Sequence, residues 1–349
     1  MIHPSARNPH AHKTTCAWLF LVLLVLCSGH VYADEPAQPA LPTIRVLAIG
    51  NSFSEDAVEQ NLYELALESG VNLVIGNAYR GGQSLKAHWQ AVTEGQSSLE
   101  YRKVVDGRRT TDLNRALSTI IADEPWDYIT FQQASHESGL YGTFEPYLSN
   151  LIAYARQHST NPDARYGYHM TWAYAQNSTN EGFANYDYDQ SAMYQAILAA
   201  TQQVLDQHPE LTFLIPTGTA IQNVRTSYIG DNLNRDGYHL TRSLGRYTAA
   251  CTWLEALLGV SAEGKAYHPS SVDSVEAATA QAGAHLAVQW PFEVSNMEHY
   301  GYTAVRKIMP SSVTVRSPHQ PTIHNLQGQQ LRTLQRGLNI VGRRLLLSR

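Results

Sequence analysis

The sequence predicts an α/β fold, a three-layer α/β/α sandwich whose central sheet is mostly parallel, with a small β segment at the C-terminal end. Short β-rich runs alternate with longer runs of helical periodicity, and helical connections place successive strands parallel in one sheet. The strands are predicted at residues 44–49, 71–75, 128–131, 166–171 and 211–215. The helices are predicted at residues 56–68, 113–123, 147–158, 191–207, 244–258 and 275–290. Sheets of this kind bind ligands beyond the carboxyl ends of their strands.

Two further β features complete the predicted fold. Residues 101–105 and 108–111 flank Asp106-Gly107, a pair typical of two-residue hairpin turns, and we interpret this hairpin as an insertion. Near the C-terminal end, prolines mark a linker, and residues 322–331 and 337–347 form two β-rich runs separated by polar residues.

The composition is that of a globular protein. The chain has 349 residues, of which 43% are hydrophobic and 16% charged, and its formal net charge is -5. A disordered chain would be less apolar and more charged, and a protein with several membrane spans would need several apolar runs of about twenty residues. Nucleic acid is a poor partner for a mildly acidic chain, because phosphate binding requires clustered basic residues.

The N-terminal residues have the pattern of a secretory signal peptide. Arg7 and Lys13 precede an apolar run over residues 17–27, and Val31 and Ala33 stand at the small-residue positions of a cleavage site. We therefore expect cleavage near Ala33 and a secreted chain with no membrane span after signal removal. The alternatives are a membrane anchor, for which the run is too short at about 1.5 Å per residue, and a lipoprotein.

The predicted organisation follows from these segments. It comprises a signal peptide (1–33), a linker (34–41), a main domain (42–261), a helical extension (262–302), and a linker with a C-terminal β segment (303–349). Cleavage would leave Cys251 as the one cysteine, so the exported chain is expected to fold without an internal disulfide. Cys251 lies in an apolar helical run, where we expect it to be a packed hydrophobe.

Two segments carry residue types suited to nucleophilic catalysis. Ser52 lies in the turn after the first predicted strand, where we expect its hydroxyl at the edge of the sheet. Asp236 and His239 lie three residues apart, just before the helix at 244–258. A serine is a weak nucleophile until a base accepts its proton, and the base needs a carboxylate that fixes its tautomer. From the turn alone, Ser52 or Ser54 could equally cap the helix that follows.

The order and placement of these segments resemble the GDSL/SGNH hydrolase superfamily over residues 42–260. Val46-Leu-Ala-Ile-Gly-Asn-Ser-Phe-Ser54 is similar to the first sequence block of that superfamily, although Asn51 stands in place of its aspartate. Arg80-Gly-Gly-Gln-Ser84 is similar to the second block, and Asp236-Gly-Tyr-His239 matches the fourth.

The resemblance implies a secreted serine esterase, a carboxylic ester hydrolase of the SGNH type. Ser52 would be the nucleophile, His239 the base and Asp236 the partner of the base. The backbone N–H groups of Ser52 and Gly82 would donate to the oxyanion, together with one side chain. No cofactor is implied and no metal site is expected, and the sequence has no zinc, dinucleotide or nucleoside triphosphate motif.

The third sequence block departs from the superfamily pattern, because no Gly-x-Asn-Asp follows the strand at 128–131. We expect Gln133 to supply the third oxyanion donor, with Gln132 or His136 as alternatives. A glutamine pair at a buried strand end could instead satisfy loop backbone.

The substrate is predicted as an acylated glycan or a small ester, with removal of acetyl or another small acyl group. Arg80, Trp172 and Arg225 are candidate substrate-binding residues, since arginine pairs with acidic groups and aromatic rings stack on sugars. The arginines could equally form structural ion pairs, and Trp172 could belong to the core. The alternative function is a catalytically degenerate carbohydrate-binding or scaffold protein on the same fold.

The C-terminal segment resembles the sorting segment of type IX secretion substrates. Asn325-Leu-Gln-Gly328 and Gly337-Leu-Asn-Ile-Val341 are the matching pieces, and the segment is truncated relative to that pattern. A small packing module is the alternative interpretation.

Overall fold

The computed structural model describes residues 41–300, together with the backbone of four short strands between residues 323 and 348. The chain divides into two units, residues 1–40 and 41–349, of which only the second contains described residues. The predicted signal peptide and the proline-marked linker lie outside the described residues.

Seven strands form the central sheet. They are β1 (Thr43–Gly50), β2 (Asn72–Tyr79), β3 (Leu99–Val105), β4 (Arg108–Arg115), β5 (Tyr128–Phe131), β6 (Arg165–His169) and β7 (Leu211–Ile215). Their order across the sheet is β4-β3-β2-β1-β5-β6-β7. Strands β2, β1, β5, β6 and β7 run parallel, whereas β3 pairs antiparallel with both β2 and β4. The sheet is therefore mostly parallel, which confirms the predicted α/β class.

Helices cover both faces of this sheet. They are α1 (Ser52–Val58), α2 (Leu62–Glu68), α3 (Leu85–Thr93), α4 (Leu117–Ile121), α5 (Tyr147–His158), α6 (Gln190–Gln207), α7 (Thr217–Arg225), α8 (Leu244–Leu258) and α9 (Ser274–Gln289). Consecutive residues are buried at 46–50 in β1 and at 129–131 in β5. Because successive side chains of a strand point to opposite faces, both faces must be covered.

Two predicted helical segments differ in the structure, and two observed helices, α3 and α7, were not predicted. The helix predicted at 56–68 is two helices, because Asn61 between them is left-handed at φ 65° and interrupts the helical backbone. The helix predicted at 113–123 is reduced to α4, since β4 continues to Arg115. Helix α7 follows β7 after Pro216 and was not predicted, because its run of small and polar residues has few apolar side chains.

The predicted hairpin is present and forms one edge of the central sheet. Asp106 and Gly107 have φ values of 49° and 71°, as a type I′ turn requires. The two strands extend the central sheet at the edge beside β2. Arg102 on β3 forms ion pairs with Glu55 at 2.9 Å and Glu59 at 3.4 Å, so the hairpin also braces the region of α1.

The remaining parts of the described chain pack as follows. Helix α8 contacts α1, α2, α7 and α9, and Cys251 on α8 is fully buried, as predicted. The C-terminal strands β8 (Ile323–His324), β9 (Gln330–Leu331), β10 (Gly337–Val341) and β11 (Arg344–Ser348) form an antiparallel sheet of their own, in the order β11-β10-β8-β9. Among the described residues, no helix has the length and apolar character needed to span a membrane.

Candidate active site

Ser52 is the first residue of α1 and lies at the carboxyl end of β1. The helix is capped by Asn51, whose side-chain Oδ1 accepts a hydrogen bond of 2.9 Å from Phe53 N–H. Ser52 is half-buried, and its hydroxyl makes no hydrogen bond to any residue in the described part of the chain. The cap is therefore asparagine, which leaves the Ser52 hydroxyl available for chemistry.

The second serine of this turn has a structural role. Ser54 is fully buried, with its hydroxyl 2.7 Å from the Asn51 carbonyl oxygen and 2.8 Å from Asn77 Oδ1. A Cβ atom at Gly50 would lie 2.6 Å from Ser54 Oγ and 2.9 Å from Gln132 Cδ. The close packing beneath the turn thus requires glycine before Asn51.

Asp236 and His239 form a hydrogen-bonded pair within one loop. His239 Nδ1 lies 2.8 Å from Asp236 Oδ2, and Asp236 Oδ1 accepts the backbone N–H groups of His239 at 2.8 Å and Tyr238 at 3.2 Å. Burial acts to raise the pKa of the Asp236 carboxyl, but the hydrogen bonds from His239 and Tyr238 outweigh it and lower that pKa. The ionised Asp236 places the proton of a neutral His239 on Nδ1 and leaves Nε2 as the basic atom.

The basic atom of His239 is buried and has no hydrogen-bond partner among the described residues. The His239 ring lies beside Phe53, the residue after Ser52, with 5.9 Å between ring centroids. Phe53 in turn stacks on Trp172, with centroids 4.2 Å apart and planes 4° apart. Trp172 Nε1 donates to the Tyr238 carbonyl at 2.8 Å, so the same rings hold the His239 loop against α1. The structure therefore brings together the two segments that carry the predicted triad.

A carboxylate that the sequence analysis missed joins these segments. Asp56 on α1 is fully buried and accepts the Leu240 backbone N–H at 2.7 Å. It also pairs with Arg235 at 3.0 Å and with Arg246 at 2.6 Å. Acidic residues are common in the first turns of helices, so the residue type alone does not single out Asp56. The one indication in the sequence is its spacing of four residues from Ser52, which places both residues on the same helix face.

Gly82 lies in a tight turn that is tied to the Ser52 segment. Gln83 N–H donates to the Arg80 carbonyl at 3.1 Å, and Gly82 has φ +67°, as the third residue of a type II turn requires. The Gln83 carbonyl accepts Asn51 Nδ2 at 2.9 Å. The Gly82 N–H has no partner in the described part of the chain, and Arg80 is exposed beside it.

The side chain of the glutamine predicted as the third oxyanion donor is hydrogen-bonded to other residues of the protein. Gln133 is fully buried, and its Nε2 donates to the carbonyl oxygen of Thr143 at 3.3 Å and to its hydroxyl oxygen at 3.0 Å. Its Oε1 accepts the backbone N–H groups of Leu85 at 3.0 Å and Ala134 at 2.8 Å. Gln133 thus joins the loops after β2 and β5, and in this arrangement its amide has no donor left for an oxyanion.

The two alternatives to Gln133 also lack a placement suited to that role. Gln132 is buried, with Nε2 donating to Asn51 Oδ1 at 2.9 Å and Oε1 2.9 Å from His169 Nδ1. The side chain of His136 is 44% exposed, with its Nε2 4.0 Å from Glu137 Oε1. No contact joins His136 to Ser52 or His239 in the described residues.

Gln83 is a candidate donor that the sequence analysis did not consider. Gln83 follows Gly82, and its backbone carbonyl accepts Asn51 Nδ2 at the start of α1. The residue is only 7% exposed, yet its amide group has no hydrogen-bond partner among the described residues. Because it has no partner within the described chain, this amide can donate to a ligand without breaking an internal hydrogen bond.

Two of the predicted substrate-binding residues are structural. Trp172 is fully buried beneath Phe53 and cannot offer a ring face to a sugar. Arg225 is buried, with its guanidinium 2.7 Å from Asn234 Oδ1 and 2.9 Å from Asp231 Oδ1. Burial lowers the pKa of Arg225 to about 10, against the opposing effect of Asp231. Sequence alone could not separate these roles, because both residue types serve in cores and in binding sites.

Comparisons with known proteins assign the family. The model of a domain of unknown function, DUF4886, matches residues 45–287. The chain belongs to the DUF4886 family. A DUF4886 family protein from Bacteroides uniformis is 44% identical, with a TM-score of 0.71, and the match covers 73% of this chain and 98% of that one.

More distant solved structures resemble this DUF4886 chain weakly. A protein from Slackia heliotrinireducens, provisionally classed as an SGNH hydrolase, is 20% identical with a TM-score of 0.44 over 62% of this chain and 99% of that one. An acetylxylan esterase from Geobacillus stearothermophilus is 10% identical with a TM-score of 0.39 over 63% and 95%. No curated protein matches the chain.

Two buried histidines support the site of this DUF4886 domain. His88 Nε2 lies 3.0 Å from the Gly50 carbonyl oxygen, and His169 Nε2 lies 3.0 Å from Thr217 Oγ1. Burial lowers the pKa of His88 to about 4 and that of His169 to about 3. Both imidazoles are therefore neutral in the folded protein near neutral pH. Within the described residues, no group of three or more His, Cys, Asp or Glu side chains is arranged to hold a metal ion.

These histidines are expected to make folding sensitive to acid. In the unfolded chain they take up protons below pH 6.5, whereas the folded chain resists protonation down to about 4 for His88 and about 3 for His169. Stability is therefore fully present above pH 6.5 and falls as the pH drops below it, by up to about 1.4 kcal/mol per pH unit for each histidine. Urea unfolding at several pH values from 8 to 5 measures this slope.

The variant His169→Gln is expected to reduce that slope, and His136→Gln, at a half-buried position, is the matched control. Equal slopes for wild type and His169→Gln would show that His169 titrates normally in the folded state.

Proposed function

We propose that this protein is a serine esterase that removes acetyl or other small acyl groups. The observation that carries the proposal is the state of His239. Its Nδ1 is held by Asp236 at 2.8 Å, and its buried Nε2 has no partner among the described residues, beside the helix turn that begins with Ser52. A base, its orienting carboxylate and an uncommitted hydroxyl are the parts that acyl transfer through serine requires.

In the proposed mechanism, Ser52 Oγ attacks the ester carbonyl carbon while His239 Nε2 takes the hydroxyl proton. The carbonyl π electrons move to its oxygen, and Asp236 stabilises the resulting imidazolium through Nδ1–H. The tetrahedral intermediate collapses, the C–O bond of the leaving group breaks, and His239 gives its proton to the departing alcohol. Water then attacks the acyl-serine by the same route and releases the carboxylic acid.

The oxyanion would be stabilised by the backbone N–H groups of Ser52 and Gly82, as the resemblance implies. Neither group has a partner in the described part of the chain. We assign the third donor to the Gln83 amide, since Gln133 is engaged with Thr143. A donor aimed at the developing charge contributes more in the transition state than in the ground state.

The glycan part of the proposal is supported by a row of aromatic rings that leads from His239 to the surface. Successive centroids are 4.1 Å apart from His239 to Tyr238, 5.6 Å to Tyr174, 5.6 Å to Phe183 and 5.9 Å to Tyr188. Tyr188 is 55% exposed, and its backbone is left-handed at φ 55°. A large exposed ring held in this uncommon conformation presents a fixed surface for a sugar.

Secretion is part of the same proposal. The N-terminal pattern of basic residues, an apolar run and small residues before the cleavage position supports export. An acylated polysaccharide outside the cytoplasm would be a substrate accessible to such an enzyme.

The nucleophile is tested with Ser52→Ala. We expect the hydrolysis of p-nitrophenyl acetate to fall by at least about 10³-fold in kcat, because the attacking oxygen is removed. Ser54→Ala is the matched control, since it changes the neighbouring buried serine of the same helix. Both proteins should first be shown to be folded by circular dichroism. Equal rates for wild type and Ser52→Ala would reject the serine mechanism, and an inactive wild type would favour a binding protein on this fold.

The third oxyanion donor is tested with Gln83→Ala and Gln83→Glu. We expect Gln83→Ala to lower kcat by about 10-fold or more with little change in KM, because the lost hydrogen bond forms in the transition state. Gln83→Glu should be slower still, since a carboxylate repels the oxyanion. Gln96→Ala, on the exposed loop after α3, is the control. Unchanged kcat in both Gln83 variants would remove Gln83 from the mechanism.

The aromatic surface is tested with Tyr188→Ala against Tyr228→Ala, whose ring is 54% exposed but outside the row. We expect Tyr188→Ala to raise KM for acetylated oligosaccharides by about 10-fold, which corresponds to about 1.4 kcal/mol. KM for p-nitrophenyl acetate should not change, because that substrate has no sugar ring. The measurement is acetate release at varied substrate concentration, and the same KM change in both variants would contradict a specific platform.

A further inference from the structure

We propose that Asp56 is a positioning residue that holds the His239 loop in register with Ser52. The inference rests on the proposed function, because it assigns Asp56 to the same site. The Asp56 carboxylate has no hydrogen bond or ion pair with Ser52 or His239 in the described structure, so its effect on the reaction would pass through Arg235 and Leu240.

Arg235 and Leu240, the two residues that contact Asp56, lie on either side of the Asp236–His239 segment. Arg235 Nη1 lies 3.0 Å from Asp56 Oδ1 and 3.1 Å from Oδ2, and Leu240 N–H donates to Oδ2 at 2.7 Å. Arg235 immediately precedes Asp236, and Leu240 immediately follows His239. Both ends of the Asp-x-x-His segment are thus attached to one carboxylate.

The segment between these attachments is closed on itself. Asn234 and Leu240 form an isolated antiparallel bridge, and Arg235 N–H donates to the His239 carbonyl at 2.9 Å. A closed loop of this kind moves as a unit, so a shift of Arg235 or Leu240 would shift the imidazole. The Arg235 guanidinium also lies 4.0 Å from Asp236 Oδ2, which extends the charge contacts to the partner of the base.

The attachment point is on the nucleophile helix. Asp56 follows Ser52 by four residues, and residues four apart lie on the same face of a helix. A single turn of α1 therefore carries both the nucleophile and the anchor for the base. The distance between Ser52 and His239 is then set by one rigid helical turn and one closed loop.

The charges explain why the attachment is strong. Asp56 is fully buried, and a buried carboxylate requires paired charges and hydrogen bonds. Arg246 on α8 provides a second cation, with Nε 2.8 Å and Nη2 2.6 Å from Oδ1. Removing the Asp56 charge would leave Arg235 and Arg246 without this compensation, so the loop would lose its preferred position.

A purely structural ion pair would have the same contacts, so the test needs a matched control from the same network. Glu55 pairs with Arg246 at 3.3 Å and with Arg102 at 2.9 Å, but it has no hydrogen bond or ion pair with residues 235–240 in the described structure. Glu55→Gln therefore perturbs the ion pairs without releasing the His239 loop.

The experiment compares Asp56→Asn, Arg235→Gln and Glu55→Gln in the full chain. Measurements are kcat and KM for p-nitrophenyl acetate from pH 5 to 9, the Tm, and the imidazole ¹⁵N shifts of His239. We expect Asp56→Asn and Arg235→Gln to lower kcat by at least 10-fold with KM within 2-fold. The pH profile and the His239 shifts should change in these two variants. Glu55→Gln should keep kcat within 3-fold of wild type and leave the His239 shifts unchanged, even with an equal loss in Tm.

The outcomes separate the inference from the proposed function. Should Asp56→Asn fail to fold, Arg235→Gln decides, because it leaves Asp56 paired with Arg246. Folded variants at Asp56 or Arg235 with wild-type kcat and His239 shifts would overturn the inference, as would the same kcat loss in Glu55→Gln. If the wild-type chain proves inactive, the proposed function fails, and the ¹⁵N shifts alone decide: a change in Asp56→Asn and Arg235→Gln but not in Glu55→Gln supports the positioning role, and its absence refutes it.

Discussion

The burial of one carboxylate constrains the whole site. Asp56 has no exposed surface, so its charge has to be balanced inside the protein. The balancing groups are Arg235 and Arg246, separated from Asp56 by 179 and 190 residues along the chain, and the Leu240 N–H. The pairing of this carboxylate with both arginines holds the loop of residues 235–240 and helix α8 against α1. The same ion pairs, together with the stacked Phe53 and Trp172 rings, hold the Ser52 and His239 segments side by side.

Hydrogen bonds of side-chain amides also join the loops around the site. Asn51 accepts from Phe53 N–H and Gln132 and donates to the Gln83 carbonyl, which joins the turns after β1, β2 and β5. A carboxylate in this position could accept but could not donate to Gln83. The hydrogen bond to the Gln83 carbonyl therefore gives a structural reason for asparagine at position 51. Gln133 links the same loops a second time.

Residue type and short spacing were sufficient to predict part of the site. Asp236 and His239 are three residues apart, and their hydrogen bond is local, so the sequence contains all that specifies it. Trp172 and Arg225 were misassigned because a ring or a guanidinium serves equally well in a core and in a binding site. Tyr188 and Gln83 were missed for the converse reason: nothing in their sequence neighbourhood shows that one is exposed and the other unpartnered.

By itself, the sequence determined the alternation of strands and helices, the hairpin turn at Asp106-Gly107, and the local pairing of Asp236 with His239. These features depend on periodicity, backbone preference and spacing within a few residues. Only the tertiary structure decided which polar groups are hydrogen-bonded within the protein and which remain free to bind a ligand. Gln133 is occupied by Thr143 and Leu85, whereas Asp56 acquires its role from Arg235. The physical reason is that desolvation and hydrogen-bond satisfaction depend on neighbours in space, most of which are remote along the chain.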